Sequence, residues 1–173
     1  MNNNLQLITE RLSIRPFTLN DAEFIVNLLN QPSFILNIAD KQVRTVADAE
    51  NYLRNGPLAS YQQYGFGLCR VALKQSDTPI GMCGLLKRPE LPYADIGYAL
   101  LPEFCGHGYA FEAAQAVLKS THGAHQLATI LAITKPNNTS SNKLLMKLGF
   151  QAQGQLEIYG EQNNLYHYQA PAP

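Results

Sequence analysis

The stretch of this 173-residue chain best equipped for chemistry is Cys105-Gly-His-Gly-Tyr-Ala-Phe-Glu112, where Gly106 and Gly108 stand just ahead of a helical pattern. A glycine-rich turn opening into a helix makes an anion site. The first-turn N–H groups have no intrahelical acceptor, the helix dipole adds to their positive character, and glycine lets a phosphate approach the main chain. The same residues also read as an ordinary tight turn. His107 projects from the loop toward either a phosphate or solvent. Cys105 sits near a helix start, a place where thiols can be acidified, or it is a passive residue there.

Other candidates are scattered along the chain. Asp95, opening the apolar run that ends at Leu101, reads by itself as an ordinary charge at a strand start. Asn138 and Ser141 are residue types preferred at helix starts whatever else they do. His122 and His125 have metal-pair spacing, but no nearby carboxylate or cysteine completes a site, so a polar helix end and no metal are expected. Tyr159, Tyr166, His167 and Tyr168 form an aromatic cluster suited to a cleft or to a core.

Composition narrows the classes. Thirteen basic residues balance thirteen acidic ones, which argues against nucleic acid or anionic lipid as partners. Three widely spaced cysteines, Cys69, Cys83 and Cys105, make neither a disulfide framework nor a zinc pattern. No apolar run approaches the roughly 20 residues of a membrane span, and Met1-Asn-Asn-Asn4 lacks the order of a signal peptide, so a cytoplasmic protein is expected. A nucleotide-binding domain is disfavoured, because neither Gly-x-x-x-x-Gly-Lys-Ser/Thr nor a full Gly-x-Gly-x-x-Gly is present.

The elements that must position these residues follow from periodicity. Leu12 to Phe17 alternates as a strand closed by Pro16, and a capping-box-like Thr18-Leu-Asn-Asp21 leads a helix over 19–30 ended by Gln31-Pro32. Ser33 to Arg44 has no clear pattern. Thr45-Val-Ala-Asp48 repeats the cap and leads a helix to about Asn55-Gly-Pro57. Strands are expected over 65–74, 79–87 and 95–101, then a helix from Gly108 to about His122 with Ala110, Ala113, Ala114, Val117 and Leu118 inward. Residues 127–134 are almost continuously apolar, as in a strand buried on both faces. A short helix over 140–148 stops at Gly149, and strands over 150–159 and 165–169 flank a polar turn at 160–164. The order β-α-α-β-β-β-α-β-α-β-β predicts an α/β (α+β mixed) fold: one domain over 1–173, with a mixed, mostly antiparallel sheet covered by helices and a frayed tail at 170–173.

In that order the chain resembles the GNAT superfamily of acetyl-CoA-dependent N-acetyltransferases, and within it the Rim-type ribosomal-protein N-terminal acetyltransferases. Thr9-Glu-Arg-Leu-Ser-Ile-Arg-Pro-Phe17 is similar to that branch's opening strand, and Asp95-Ile-Gly-Tyr98 with Pro102-Glu103 to its central strand. Gly106-His-Gly-Tyr-Ala110 with Glu112-Ala113 resembles its pyrophosphate loop, and Asn138-x-x-Ser141-x-x-Leu144-Leu145-x-Lys147-Leu-Gly-Phe150 the next helix and strand.

The resemblance implies a coenzyme site at Leu100, Leu101, Cys105, Gly106, His107, Gly108, Tyr109, Ala110, Asn138 and Ser141. It implies an oxyanion donor at a main-chain N–H near Leu100, pantetheine against Asn138, Ser141 near the thioester sulfur, and Asp95 where some members place a general base, with the strand-start charge as its alternative. Where many members carry an acidic tyrosine this chain has Leu145, leaving Ser141 or a water it holds to serve the thiolate. Where the family's loop usually opens with Arg or Gln, this chain has Cys105, so weakened coenzyme binding is expected at worst. The partners implied are acetyl-CoA and an amine acceptor, either a protein N-terminus or a small amine such as a polyamine, amino acid or amino sugar. The alternative is a non-catalytic coenzyme-A-binding module. The protein would act as a monomer or homodimer, without nucleic acid or membrane.

Overall fold

A computed structural model describes residues 6–172 except 125 and 126, and the side chains of 122–124 also fall outside the description. His122 and His125 therefore lie outside the described side chains. The elements are β1 (Leu7–Ile8), β2 (Leu12–Pro16), α1 (Ala22–Leu29), α2 (Pro32–Asn37), α3 (Val46–Leu53), α4 (Ala59–Tyr64), β3 (Leu68–Leu73), β4 (Pro79–Leu86), β5 (Asp95–Leu100), α5 (Tyr109–Ala124), β6 (Thr129–Thr134), α6 (Thr139–Lys147), β7 (Gln151–Ile158) and β8 (Glu161–Gln169). One eight-stranded sheet runs β1-β2-β3-β4-β5-β6-β8-β7 and is antiparallel except where β5 meets β6. This is the mixed sheet under helices that the element order predicts.

Side-chain alternation divides the core between the two faces. On one, Leu12, Ile14, Val71, Leu85 and Ile96 pack against Ala113, Ala114 and Val117 of α5 and Leu145 of α6. On the other, Leu68 and Met82 meet Ile25 and Leu28 of α1 and Ala49 and Leu53 of α3. Strand β6 serves both, with Ile130 and Ala132 in the first core and Leu131 beside Leu91 and Ile158 in a third cluster. That double burial is what its unbroken apolar run implies. Helix α1 is tied to the sheet by Asp21, which accepts the Thr18 N–H at 2.8 Å and both terminal nitrogens of Arg15 at 2.9 Å.

Four segments differ from the sequence expectation, the first being β1, a short strand outside the expected order that pairs with β2. The patternless stretch after Gln31 contains α2, where Pro32 starts a helix at a position that tolerates a missing N–H. The helix expected to end at Pro57 runs on through a π turn, Arg54–Leu58, into α4, which stops at Gly65 with φ +78°. The wider turn accommodates a proline that would clash within a regular α-helix. Strand β8 begins at Glu161 rather than 165, because Tyr159 and Gly160 both take positive φ (54° and 76°) and close a two-residue hairpin. Such a turn matches the strand twist, so pairing starts at once and the polar residues after it belong to the strand.

Leu145 is 1% exposed, so its position belongs to the core. Leu145→Ala should cost about 2–5 kcal/mol of stability by leaving a cavity under α6. Urea unfolding monitored by circular dichroism would show it as a lower midpoint at constant slope.

Candidate active site

Strands β5 and β6 are neighbours that share one pair, Asp95 with Leu131, where the Leu131 N–H donates to the Ala94 carbonyl at 2.9 Å. Beyond that pair they diverge and the sheet opens as a fork. On the β4 side the ladder continues unbroken through Met82 opposite Ala99 and Gly81 opposite Leu100, and the Leu101 N–H donates to Ile80 O at 2.8 Å. Successive N–H groups of an antiparallel ladder point to opposite sides. Those of Tyr98 and Leu100 therefore point away from β4 and into the fork. Leu101 does not share that orientation: its N–H is committed to β4, its carbonyl accepts from Phe104 at 3.0 Å, and its side chain is buried. Of the two residues picked out by sequence, Leu100 offers the donor.

Asp95 stands at the closed end of the fork with no exposed surface, both oxygens within 3.0 Å of Arg88 Nε. Burial pushes its carboxyl above the ordinary carboxylate value, and the Arg88 charge and hydrogen bonds counter that rise in part.

At the open end, Pro102–Phe104 forms a 3₁₀ turn and Cys105–Gly108 leads into α5. Gly106 and Gly108 have φ of +79° and +81°, a conformation other residues rarely adopt, and the space where a Gly106 Cβ would sit is empty to 4 Å. The Glu112 N–H donates to Gly108 O at 3.1 Å, which makes Gly108 the start of the helical bonding. The N–H groups of residues 108–111 are left without helical acceptors. His107 and Cys105 are exposed on this loop. Partial burial and the nearby Glu103 push the Cys105 thiol up.

Two residues far apart in sequence brace the loop. Glu112 accepts from Thr9 Oγ1 at 2.6 Å, Arg11 N at 2.8 Å and Arg11 Nε at 2.7 Å, while Arg11 Nη1 donates to His107 O at 2.9 Å. The Arg11 guanidinium also lies 4.4 Å over the Tyr109 ring. Sequence reasoning placed both residues in motifs but gave neither a role, since nothing local links positions 101 residues apart.

Helix α6 supplies the other wall. Asn138 caps it, accepting the Ser141 N–H at 3.3 Å on Oδ1, as its residue type implies. The Ser141 hydroxyl lies 2.6 Å from that of Tyr98, so a hydrogen bond joins β5 to α6 across the fork. Burial pushes the Tyr98 phenol up to about 12. Tyr98 was legible only as part of a strand motif. The aromatic cluster disperses: Tyr166 is buried and donates to Asn142 at 2.6 Å, Tyr168 packs 5.2 Å from Phe150, and Tyr159 sits in the exposed turn. His167, paired with Leu131 and Gln151, falls on the face opposite Tyr166 and Tyr168. Among the described residues no group of three or more His, Cys, Asp or Glu could hold a metal, and no helix is long and apolar enough to cross a membrane.

The profile of the acetyltransferase (GNAT) domain matches residues 11–151. The chain belongs to the GNAT family. It is an acyltransferase. A GNAT relative, the uncharacterised N-acetyltransferase p20 of Bacillus licheniformis, is 31% identical over 156 residues, 88% of this chain and 86% of that one. A GNAT-family acetyltransferase of Bacillus anthracis superposes with TM-score 0.80 at 26% identity, covering 95% of this chain and 98% of that one. RimL, a ribosomal L7/L12 α-N-protein acetyltransferase solved with coenzyme A in a disulfide to one of its cysteines, shares the fold with TM-score 0.80 at 16% identity, covering 94% and 96%.

The brace on the GNAT loop is testable through pH. Partial burial raises the Glu112 carboxyl, but hydrogen bonds from Thr9 and from the main chain and side chain of Arg11 outweigh it and hold the group below its ordinary value of 4.5. A carboxyl depressed on folding stabilises the protein above its unfolded value and loses that contribution as pH falls through the folded one. Glu112→Gln should therefore lower Tm at neutral pH and narrow its gap to wild type below about pH 4.5. Melts from neutral to acid pH would record both, together with faster amide exchange at 106–110.

Proposed function

We propose that this GNAT enzyme moves an acetyl group from acetyl-CoA to a protein N-terminal α-amine by direct attack in a ternary complex. The observation that carries the reading is the fork, with an inward N–H at Leu100 between a glycine loop and the hydroxyl of Ser141. The residues fit the coenzyme. Gly106 and Gly108 leave the main chain open where a pyrophosphate needs donors, and Gly106, His107, Gly108, Tyr109 and Ala110 would hold it. Asn138 would border the pantetheine arm. Acetyl-CoA supplies the activated thioester; the chain's own groups do the rest.

The Leu100 N–H is aimed to receive the carbonyl oxygen as negative charge develops on it, a contribution of about 3–4 kcal/mol for a single such donor. Ser141 is placed to donate to the departing sulfur. The acceptor must arrive neutral. A protein α-amine titrates near 8, against about 10.4 for a lysine, so a useful fraction is free base near neutrality and water can take the proton. We assign Asp95 accordingly: weighed from sequence as base or as strand-start charge, this enclosed carboxylate paired with Arg88 anchors the closed end of the fork. The acceptor named for RimL agrees with an α-amine.

Coenzyme A release from acetyl-CoA should be fast with N-terminal peptides beginning Ala or Ser and slow with polyamines, free amino acids and amino sugars. Turnover confined to small amines would reject the α-amine acceptor. Absence of turnover with every acceptor, despite coenzyme binding, would favour a binding module. Gly106→Asp should weaken acetyl-CoA binding by roughly a hundredfold, because it sets a carboxylate among phosphate donors. Unchanged affinity by calorimetry would remove the phosphates from this loop. Asp95→Asn strips Arg88 of its buried partner and should cost about 3–5 kcal/mol. Its pH–rate profile should keep the wild-type acidic limb, where a general base would lose activity by taking up a proton, and a displaced acidic limb would return Asp95 to the role of base.

A further inference from the structure

The contact between Tyr98 and Ser141 crosses the fork where acyl chemistry is proposed. A serine hydroxyl has one proton and rotates to suit its neighbours. Inside the first turn of a helix it can turn that proton back to the carbonyl four residues earlier, here Asn137, away from the fork. What stands 2.6 Å away instead is a phenol. A phenol is a stronger acid than an aliphatic alcohol, so it is the natural donor of the pair. Burial keeps the Tyr98 proton in place across the neutral range, since its phenol is pushed up to about 12. Ser141 itself is fixed from below by its N–H bond to Asn138. One residue along, Asn142 is locked to β8 by accepting from Asn164 at 3.0 Å and Tyr166 at 2.6 Å. The first turn of α6 thus has little freedom to swing the hydroxyl elsewhere.

We infer that Tyr98 is a positioning residue: its hydroxyl donates to Ser141 Oγ, and the serine proton is thereby directed into the fork, toward the sulfur of the departing coenzyme A. The inference deepens the acetyl-transfer reading and rests on it. The balance is simple. As the carbon–sulfur bond breaks, its electron pair stays on sulfur, Ser141 O–H hydrogen-bonds to the thiolate, and water later protonates it. Tyr98 keeps its proton throughout. Leu145, buried in the core, leaves this task to the pair.

The test titrates the ultraviolet thiolate absorption of coenzyme A bound to wild type, Tyr98→Phe, Ser141→Ala and the double variant, with no acceptor present. Phenylalanine keeps the ring that packs on the core. The bound thiol should be about tenfold more acidic on wild type than on any variant, the worth of one hydrogen bond to a charged group. The three variants should coincide, because a residue acting through Ser141 has no effect once the serine is gone. In turnover, Tyr98→Phe should lower kcat about tenfold with KM for acetyl-CoA unchanged, and should do nothing further on Ser141→Ala. A bound thiol as acidic on Tyr98→Phe as on wild type, or additive losses in the double variant, would overturn the inference while leaving acetyl transfer intact. Failure of wild type to bind coenzyme A would overturn both readings.

Discussion

Everything at the site depends on one constraint: β5 and β6 are neighbours in the sheet yet share a single pair at Asp95 and Leu131. Each strand is fully engaged on its outer side, β5 with β4 over six pairs and β6 with β8 over six more. The divergence is therefore not fraying at an edge. Two complete ladders meet at an angle, and the price is a set of main-chain N–H groups in mid-sheet without strand partners. Unpaired donors away from water are costly unless something arrives to accept from them. A gap of this kind inside a well-ordered sheet is structural grounds for a ligand site.

Keeping the fork open asks for support from outside the sheet, and the support is polar on both sides. Arg88 and Asp95 seal the closed end, where a lone carboxylate with no exposure would be expensive. Arg11 and Glu112 clamp the start of α5 to β2 and the chain just before it. Asn142 clamps α6 to β8, and Tyr98 joins the two walls through Ser141. Arg11 does a second thing. Its Nη2 lies 3.4 Å from where a Gly108 Cβ would stand, so a cation sits beside the loop even though Cys105 occupies the place where the family's loop usually has a charged or amide side chain. A chain with no net charge can still be locally positive beside one loop.

What could be read from the sequence was whatever is encoded within a turn or two. The glycines of the loop, the Thr45–Asp48 capping box, the Asn138 cap and the doubly buried β6 all announce themselves over a few residues. Pairings across long separations do not: Arg11 with Glu112 and Tyr98 with Ser141 need the sheet before they exist. Pattern also misleads where a residue type is used against habit. Tyr159 takes the positive φ usually given to Asn or Gly, which hid the hairpin turn, and Pro57 sits within a helix because a π turn makes room for it. The aromatic run at 166–168 looked like one cluster, but strand alternation sends His167 to the opposite face from its neighbours.

The same distinction explains which departures from family habit the site can absorb. Cys105 and Leu145 replace side chains, whereas the loop's donors and the Leu100 N–H belong to the main chain, and their direction is set by strand register and by glycine φ. Changing a side chain at the rim leaves those donors aimed as before. The thiolate is different in the proposed reaction, because the main-chain N–H of Ser141 itself is given to Asn138. In that reading the task falls to the serine side chain, which is short and loosely oriented by itself. A second hydroxyl, held on the opposite wall by β5, lies 2.6 Å from that serine, so on the proposed reading the fork would orient its acid through the same divergence that turns the Leu100 N–H inward.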